Sequence, residues 1–488
     1  MDEYIQKAFA ARSFTGFWKI QDRRFPQELL GELLYDPIKG HPELTLYGIC
    51  LFPVPGESTI PVITGTTTAG EKVSVFDSIV IDATSGKGEI ISRKTVFSFM
   101  SFYVGDKCFS SKEVIRLKKF SFRCSNLEAW SCYRPIRPHF SSRKKRGLGS
   151  VVFPPGLLLY EDDLVRIKLE TTINQSMQPT SFKISYHHEL IISARGNRKL
   201  PYYGNNNSIL YYEKIIQSFF YLVIGKHVLP FNRIGTVSKQ RIVVPVEKLP
   251  SLSRKKLYSF ERIEFFNACK IDEEWVAPIR PQKTLVHHRC LPQAEWFRII
   301  KKFFDKYSQF GFVLDDWKTM RNRSSYTNYS LPEMLYNFEG LHRSLYPECD
   351  TSAGYKAAIN AIHAISPFKD YDRLINNKNH ELPFRQRLQD ILLVKTDSIF
   401  QFLSVSQRLH IIDDLVKTRN NAAHKDKAST LPFSKIVSYI FLCEELIAIM
   451  IFQCIGLKIK KIHEILQDGL EWLDLKDMLL KDFGEEKS

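Results

Sequence analysis

The chain has 488 residues, 44% hydrophobic and 25% charged, a balance that buries substantial cores and suits two or three domains at about 150 residues each. Its nine cysteines include no C-x-x-C pair, which argues against a disulfide framework or a zinc ribbon and for a reducing compartment. The net charge of +16 suits a polyanion such as nucleic acid, although a basic surface also serves solubility alone.

The charge is unevenly placed. From Leu291 onward 27 Lys and Arg face 26 Asp and Glu, so nearly all of the positive excess lies before that point. The opening segment MDEYIQKAFAARSF carries acidic residues where a secretory signal has basic ones and lacks a long apolar core, so a cytoplasmic protein is expected.

The first part reads as β. GELLYD (31–36), LTLYGICLF (44–52), IPVITGTTTAGEKVSVFDSIVI (60–81), FKISYHHELIISA (182–194) and QRIVVPV (240–246) are short β-branched and aromatic runs between Gly, Pro and Asp turns. The polar run HFSSRKKRGLGS (139–150) is a basic loop, either solvated or an arm touching RNA. The adjacent pairs His187-His188 and His287-His288 lack Cys or carboxylate partners at ligand spacing, so no metal site is expected.

Residues 1–270 therefore form one basic, β-rich region. Residues 271–291, with WVAPIRPQKTLVHHRCLPQ, have little periodicity and serve as a linker. Residues 292–488 turn helical, with helices expected at 292–310, 331–346, 352–365, 383–403, 406–423 and 432–457. The fold class is α+β and multidomain, with a β-rich N-terminal region before an all-α bundle. The apolar run 436–457 is long enough to span a membrane, but Glu444 and Glu445 sit near its middle. Charge there is costly in lipid, so a core or subunit-interface helix, and no membrane contact, is expected.

Arg followed by His after four to six intervening residues occurs as Arg134/His139, Arg280/His287, Arg373/His380 and Arg419/His424. Prolines interrupt the first, the second lies in the linker and the third in an Asn-rich stretch. Only the fourth, in RLHIIDDLVKTRNNAAH, ends an amphipathic run, where Leu409, Ile412 and Val416 form a stripe that continues through Arg419 to Ala423. Arg419 and His424 are about 140° apart on an ideal helix. Either the helix breaks at Asn420-Asn421 or the two side chains meet across a symmetric dimer. Asn420 and His424, four apart, share a face.

These residue types suit RNA cleavage through the 2′-hydroxyl without a metal. Histidine supplies a base of near-neutral pKa and arginine a permanent planar cation for the crowded phosphate. Lys425 and Lys427 add phosphate attraction.

TRNNAAHKD (418–426) resembles the signature of HEPN ribonuclease domains. MLYNFEGLHRSLYP (334–347), PFRQRLQDIL (383–392) and the apolar run after the motif are similar to flanking helices of the ApeA-type branch. ITGTTTAGEKVSVFD (63–77) and NLEAW (126–130) are similar to the ApeA N-terminal domain. The resemblance implies an anti-phage, abortive-infection endoribonuclease with Arg419 and His424 as the catalytic pair and Asn420 helping to orient them. It also places Glu339 near the motif, restraining Arg419 through an ion pair. It implies no cofactor, a homodimer through the HEPN domain, a host RNA substrate such as transfer RNA, and an unidentified phage trigger. The competing expectations are an inactive HEPN scaffold that holds nucleic acid or protein, and a carbohydrate-binding β-rich part.

Overall fold

A computed structural model describes residues 10–484 apart from 22–26, 38–39, 52–58, 86–92, 132–135, 140–147, 152–155, 179–180, 242–257, 268–283, 322–325, 347–382, 424–430 and the single positions 205, 227, 287, 328 and 468. The chain divides into two compact units, Met1–Tyr221 with Lys226–Arg280, and Leu222–Gly225 with Pro281–Ser488.

The first unit is built around a closed barrel. Its strands are β1 (Arg12–Ile20), β2 (Leu29–Tyr35), β3 (Glu43–Tyr47), β4 (Ile60–Thr67), β5 (Lys72–Ser85) and β6 (Arg93–Ser98). β1 pairs with β2 and β4, β2 with β3, β3 with β6, β6 with β5 and β5 with β4, all antiparallel, so the ring has no open edge. The period-two pattern of RSFTGFWKI turns Phe14, Gly16, Trp18 and Ile20 inward and Thr15, Phe17 and Lys19 outward.

Trp18 explains Gly65 of this barrel and, with Leu46 and the Thr45 carbonyl, Gly31. A Cβ at Gly65 would lie 2.4 Å from the indole ring, and one at Gly31 2.9 Å from it. Only hydrogen fits where those strands cross the ring.

β5 is long enough to join two structures. Beyond its pairing with β4, its start, Lys72–Val75, pairs with β7 (Ser101–Gly105), and its end, from Ile79, pairs with β6. From β7 the sheet continues through β17 (Tyr258–Asn267), β16 (Pro230–Arg241), β9 (Lys119–Cys124), β14 (Ser181–Ala194) and β13 (Val165–Gln178) to β12 (Leu157–Glu161). β8 (Arg116–Leu117) pairs with β15 (Leu200–Pro201), and β10 (Ile136–His139) with β11 (Leu148–Val151).

Two helices interrupt this β-rich region, α1 (Leu127–Ser131) and α2 (Ile209–Ile224). The sequence reading had no helix at α2, whose run ILYYEKIIQSFFYLVI is apolar around most of its circumference. Within the first unit Phe220 meets Trp130 edge to face, with centroids 4.9 Å apart.

The second unit is helical. It contains α3 (Gln293–Arg321), α4 (Ser330–Leu345), α5 (Phe384–Gln389), α6 (Val405–Ala423), α7 (Phe433–Cys454), α8 (Ile459–Gln467) and α9 (Leu470–Gly484). α3 runs eleven residues past the expected end at 310, and α8 and α9 were not foreseen. The expected helix 383–403 is instead α5 followed by one π-helical turn, Asp390–Lys395, after which the chain turns to Ser404. The helix expected at 352–365 lies outside the described residues, as do 271–283 of the expected linker.

α7 is the core helix. It is long and apolar enough to cross a membrane, but 83% of its most apolar stretch is buried inside the fold, Glu444 and Glu445 included. α4, α6 and α9 pack around it or one another, with α4 touching α3, α5, α6 and α7.

Candidate functional site

α6 carries the arginine of the Arg/His motif, and its start is fixed by a capping box. The Ser404 hydroxyl accepts from the Gln407 backbone N–H at 3.1 Å, and the Gln407 side-chain oxygen accepts from the Ser404 N–H at 2.8 Å. One turn in, the buried Arg408 donates to the Leu392 carbonyl at 3.0 Å and to Asp397 at 2.7 Å. Ile411, Ile412 and Leu415 enter the core. Tyr439 of α7 donates to Asp414 at 2.7 Å. Burial and this carboxylate both hold the Tyr439 hydroxyl well above the ordinary range.

The buried stripe therefore runs through Arg408, Ile411, Ile412, Leu415 and Thr418. Leu409 and Val416, expected at its centre, are only half-buried. Arg419 emerges at the stripe's flank with 29% of its side chain exposed. No break occurs at Asn420-Asn421, contrary to one sequence expectation, because α6 runs through both to Ala423. Asn is a mediocre helix former, but the capping box and the packed stripe outweigh a few tenths of a kcal/mol per residue.

Arg419 is held from three sides. Its Nη2 donates to Glu339 Oε2 of α4 at 3.1 Å, and its guanidinium carbon lies 5.7 Å from the Tyr336 ring centroid and 5.8 Å from that of Phe384. Glu339, 12% exposed, also accepts from Arg343 at 3.2 Å. One carboxylate thus faces two guanidinium groups, and the ring faces add cation–π attraction. The Arg419 Nε–H is buried with no hydrogen-bond partner among the described residues.

Asn420 is exposed. His424, Lys425 and Lys427 lie outside the described residues, as do Arg134, Arg280, His287, Arg373 and His380 of the other Arg/His pairs.

Beneath Arg419 is a polar chain that the sequence did not disclose. The His342 ring, fully buried on α4, faces Arg387 Nη1 through Nδ1 at 3.2 Å and Asp390 Oδ2 through Nε2 at 3.0 Å. Arg387 can only donate, so Nδ1 accepts and Nε2–H donates, which defines a neutral tautomer. Burial pushes the His342 pKa down, with the Asp390 contact opposing and Arg387 adding to the fall. Lys395 completes the chain, 3.0 Å from Asp390 and over the Tyr346 ring at 4.4 Å.

The π turn makes this chain possible. Thr396 N–H and hydroxyl both donate to the Ile391 carbonyl, at 2.9 and 2.8 Å. Such a turn accommodates one extra residue, and here Asp390 and Lys395, its first and last residues, both face the His342 end of α4. Glu339, His342, Arg343 and Tyr346 follow one another at helical spacing, so α4 joins the Arg419 site to this chain.

In the first unit the His187-His188 pair is divided between different partners. His187 contacts Arg123, and His188 contacts Ser131 at 2.6 Å and Thr171 at 3.0 Å. Burial, reinforced by Arg123, lowers the His187 pKa to about 4. No cluster of three or more His, Cys, Asp or Glu with metal-holding geometry occurs among the described residues.

A closed β-barrel region is followed in the chain by a helical unit that holds Arg419, and His424 comes five residues later in the sequence. Residues 13–276 match the family described as ApeA N-terminal domain 1, and residues 334–460 match Apea-like HEPN. The first match alone spans more than half of the 488 residues, and the chain belongs to the ApeA-type HEPN proteins, whose HEPN domains are generally ribonucleases. No curated protein and no solved structure matches it.

Proposed function

We propose that the protein is a metal-independent endoribonuclease of anti-phage defence, acting by abortive infection, with Arg419 and His424 as its working pair. The observation that carries this reading is the clamped arginine. A guanidinium held by a carboxylate and two ring faces, with 29% of its side chain still exposed, is fixed in advance with an open edge for an anionic oxygen. A permanent cation there stabilises the phosphorus as the 2′-oxygen attacks.

In this mechanism His424 removes the 2′-hydroxyl proton. The 2′-oxygen forms a bond to phosphorus while the bond to the 5′-oxygen breaks, leaving a 2′,3′-cyclic phosphate and, once that oxygen is protonated, a 5′-hydroxyl. The continuous helix through Asn421 keeps Arg419 and Ala423 on one rigid element, so the partner of a homodimer is the source of convergence that we favour. Host RNA, with transfer RNA first, is the substrate class, and Lys425 and Lys427 add non-specific attraction.

The purified chain should cut total RNA in EDTA and leave 5′-hydroxyl ends. Arg419→Ala and His424→Ala should fold and dimerise yet lose cleavage by at least a hundredfold, the usual size of a general-base contribution. An obligatory divalent cation, or cutting by both variants, refutes the mechanism. A second reading, an inactive nucleic-acid- or protein-binding scaffold, is favoured by the engagement of Arg419 with Glu339 at 3.1 Å. The same assay decides between them, with phage-infected extract supplied as the trigger.

A further inference from the structure

One face of the long sheet carries a second site. The register sets Ser193 of β14 opposite Lys119 of β9, Lys119 opposite Thr236 of β16, and Thr236 opposite Arg262 of β17. Cross-strand partners share a face. The sequence neighbours Phe120, Ile192 and Ile263 turn the other way and are buried. Over this row lies a concavity of about 490 Å³, which Ser121, Glu189 and Ile234 help to line. Its volume is in the range of small-molecule sites.

The charges within it are not equivalent. Lys118, at the rim, is taken up by backbone, donating to the carbonyls of Ala194 at 3.3 Å, Arg198 at 3.4 Å and Gly196. Lys119 and Arg262 are exposed, and neither side chain forms an ion pair or hydrogen bond among the described residues. They stand two strands apart, roughly 10 Å at the backbone, and their long side chains reach one phosphate between them. Thr236 and Ser193 add hydroxyl donors in the same row.

Glu189 gives the site a direction. It lies four residues along β14 from Ser193, about 13 Å further down the strand, and Ile234 of β16 adds an apolar lining two strands away. A carboxylate accepts from ribose hydroxyls or a base amino group, but it repels a second phosphate. That combination disfavours a continuing nucleic-acid backbone.

We propose that this concavity binds a free nucleotide, its phosphate on Lys119 and Arg262 and its ribose or base directed to Glu189. The site lies wholly within the β-rich unit and is independent of the ribonuclease reading. Calorimetry on the full chain with AMP, ATP, inorganic phosphate and a five-nucleotide RNA tests it. The expected result is saturable binding of AMP or ATP at least about tenfold tighter than inorganic phosphate. The double variant Lys119→Gln/Arg262→Gln should weaken it about tenfold or more, the size of lost charge-assisted contacts. Glu189→Gln should weaken nucleotide but not phosphate, and Arg298→Gln, in the helical unit, should change nothing. Thermal midpoints verify that each variant is folded. Failure of both nucleotides to bind, undiminished binding by the folded double variant, or preference for the RNA overturns the proposal.

Discussion

Glu339 is the residue on which the state of Arg419 turns. Its carboxylate is shared between Arg419 at 3.1 Å and Arg343 at 3.2 Å, so a phosphate reaching Arg419 must compete with an ion pair already made. Glu339→Gln retains the shape and removes the charge. We predict a severalfold rise in basal RNA cleavage by the purified protein, since a partly exposed pair contributes on the order of 1 kcal/mol; an unchanged or lower rate would show that Glu339 does not restrain the arginine. In the β-rich unit, His187 has a pKa near 4 in the fold against about 6.5 unfolded. The unfolded chain then binds the extra proton between those values, so stability is lost as pH falls from about 6.5 towards 4. Denaturant titrations across that window should show His187→Gln with a shallower pH dependence than the wild type. Equal slopes would remove His187 as the cause.

At the scale of elements, the β-branched runs of β4 and β5 and the apolar length of α7 were readable because each is a local pattern. The barrel's closure was not, since it depends on β3, β5 and β6 finding one another over long separations. α2 was missed for a different reason: aromatic and β-branched residues crowd its sequence and leave no polar face to count. Of the contacts on Arg419 only Glu339 was named beforehand, through family likeness, while the Tyr336 and Phe384 rings were not, and the Arg387–His342–Asp390 chain was hidden in segments that look like ordinary amphipathic helix. Its π turn is set by tertiary contact and leaves no composition signal. Two elements invite direct tests. Gly65→Ala should destabilise the barrel by about 1–3 kcal/mol or more, the range for forced overpacking, measured by urea unfolding followed through tryptophan emission. Arg387→Met should cost about 1–3 kcal/mol by leaving the buried His342 Nδ1 without its donor, and a neutral effect would mean the chain is dispensable.

For the whole molecule, the charge division matters most. Residues from Leu291 onward are nearly neutral while the rest carries the positive excess, so the proposed function assigns general attraction to RNA to the part ahead of the helical unit and the chemistry to the helical unit. Dimerisation would supply the second motif that an uninterrupted α6 does not bring round on its own helix. Sedimentation should therefore report twice the 56.8 kDa chain mass. The most direct measurement is sequencing of RNA 5′ ends in cells during phage infection, wild type beside His424→Ala. Metal-free 2′-hydroxyl chemistry predicts new 5′-hydroxyl ends at discrete sites in host RNA, transfer RNA foremost, in the wild type alone. The same ends in His424→Ala, or 5′-phosphate ends in the wild type, would contradict it.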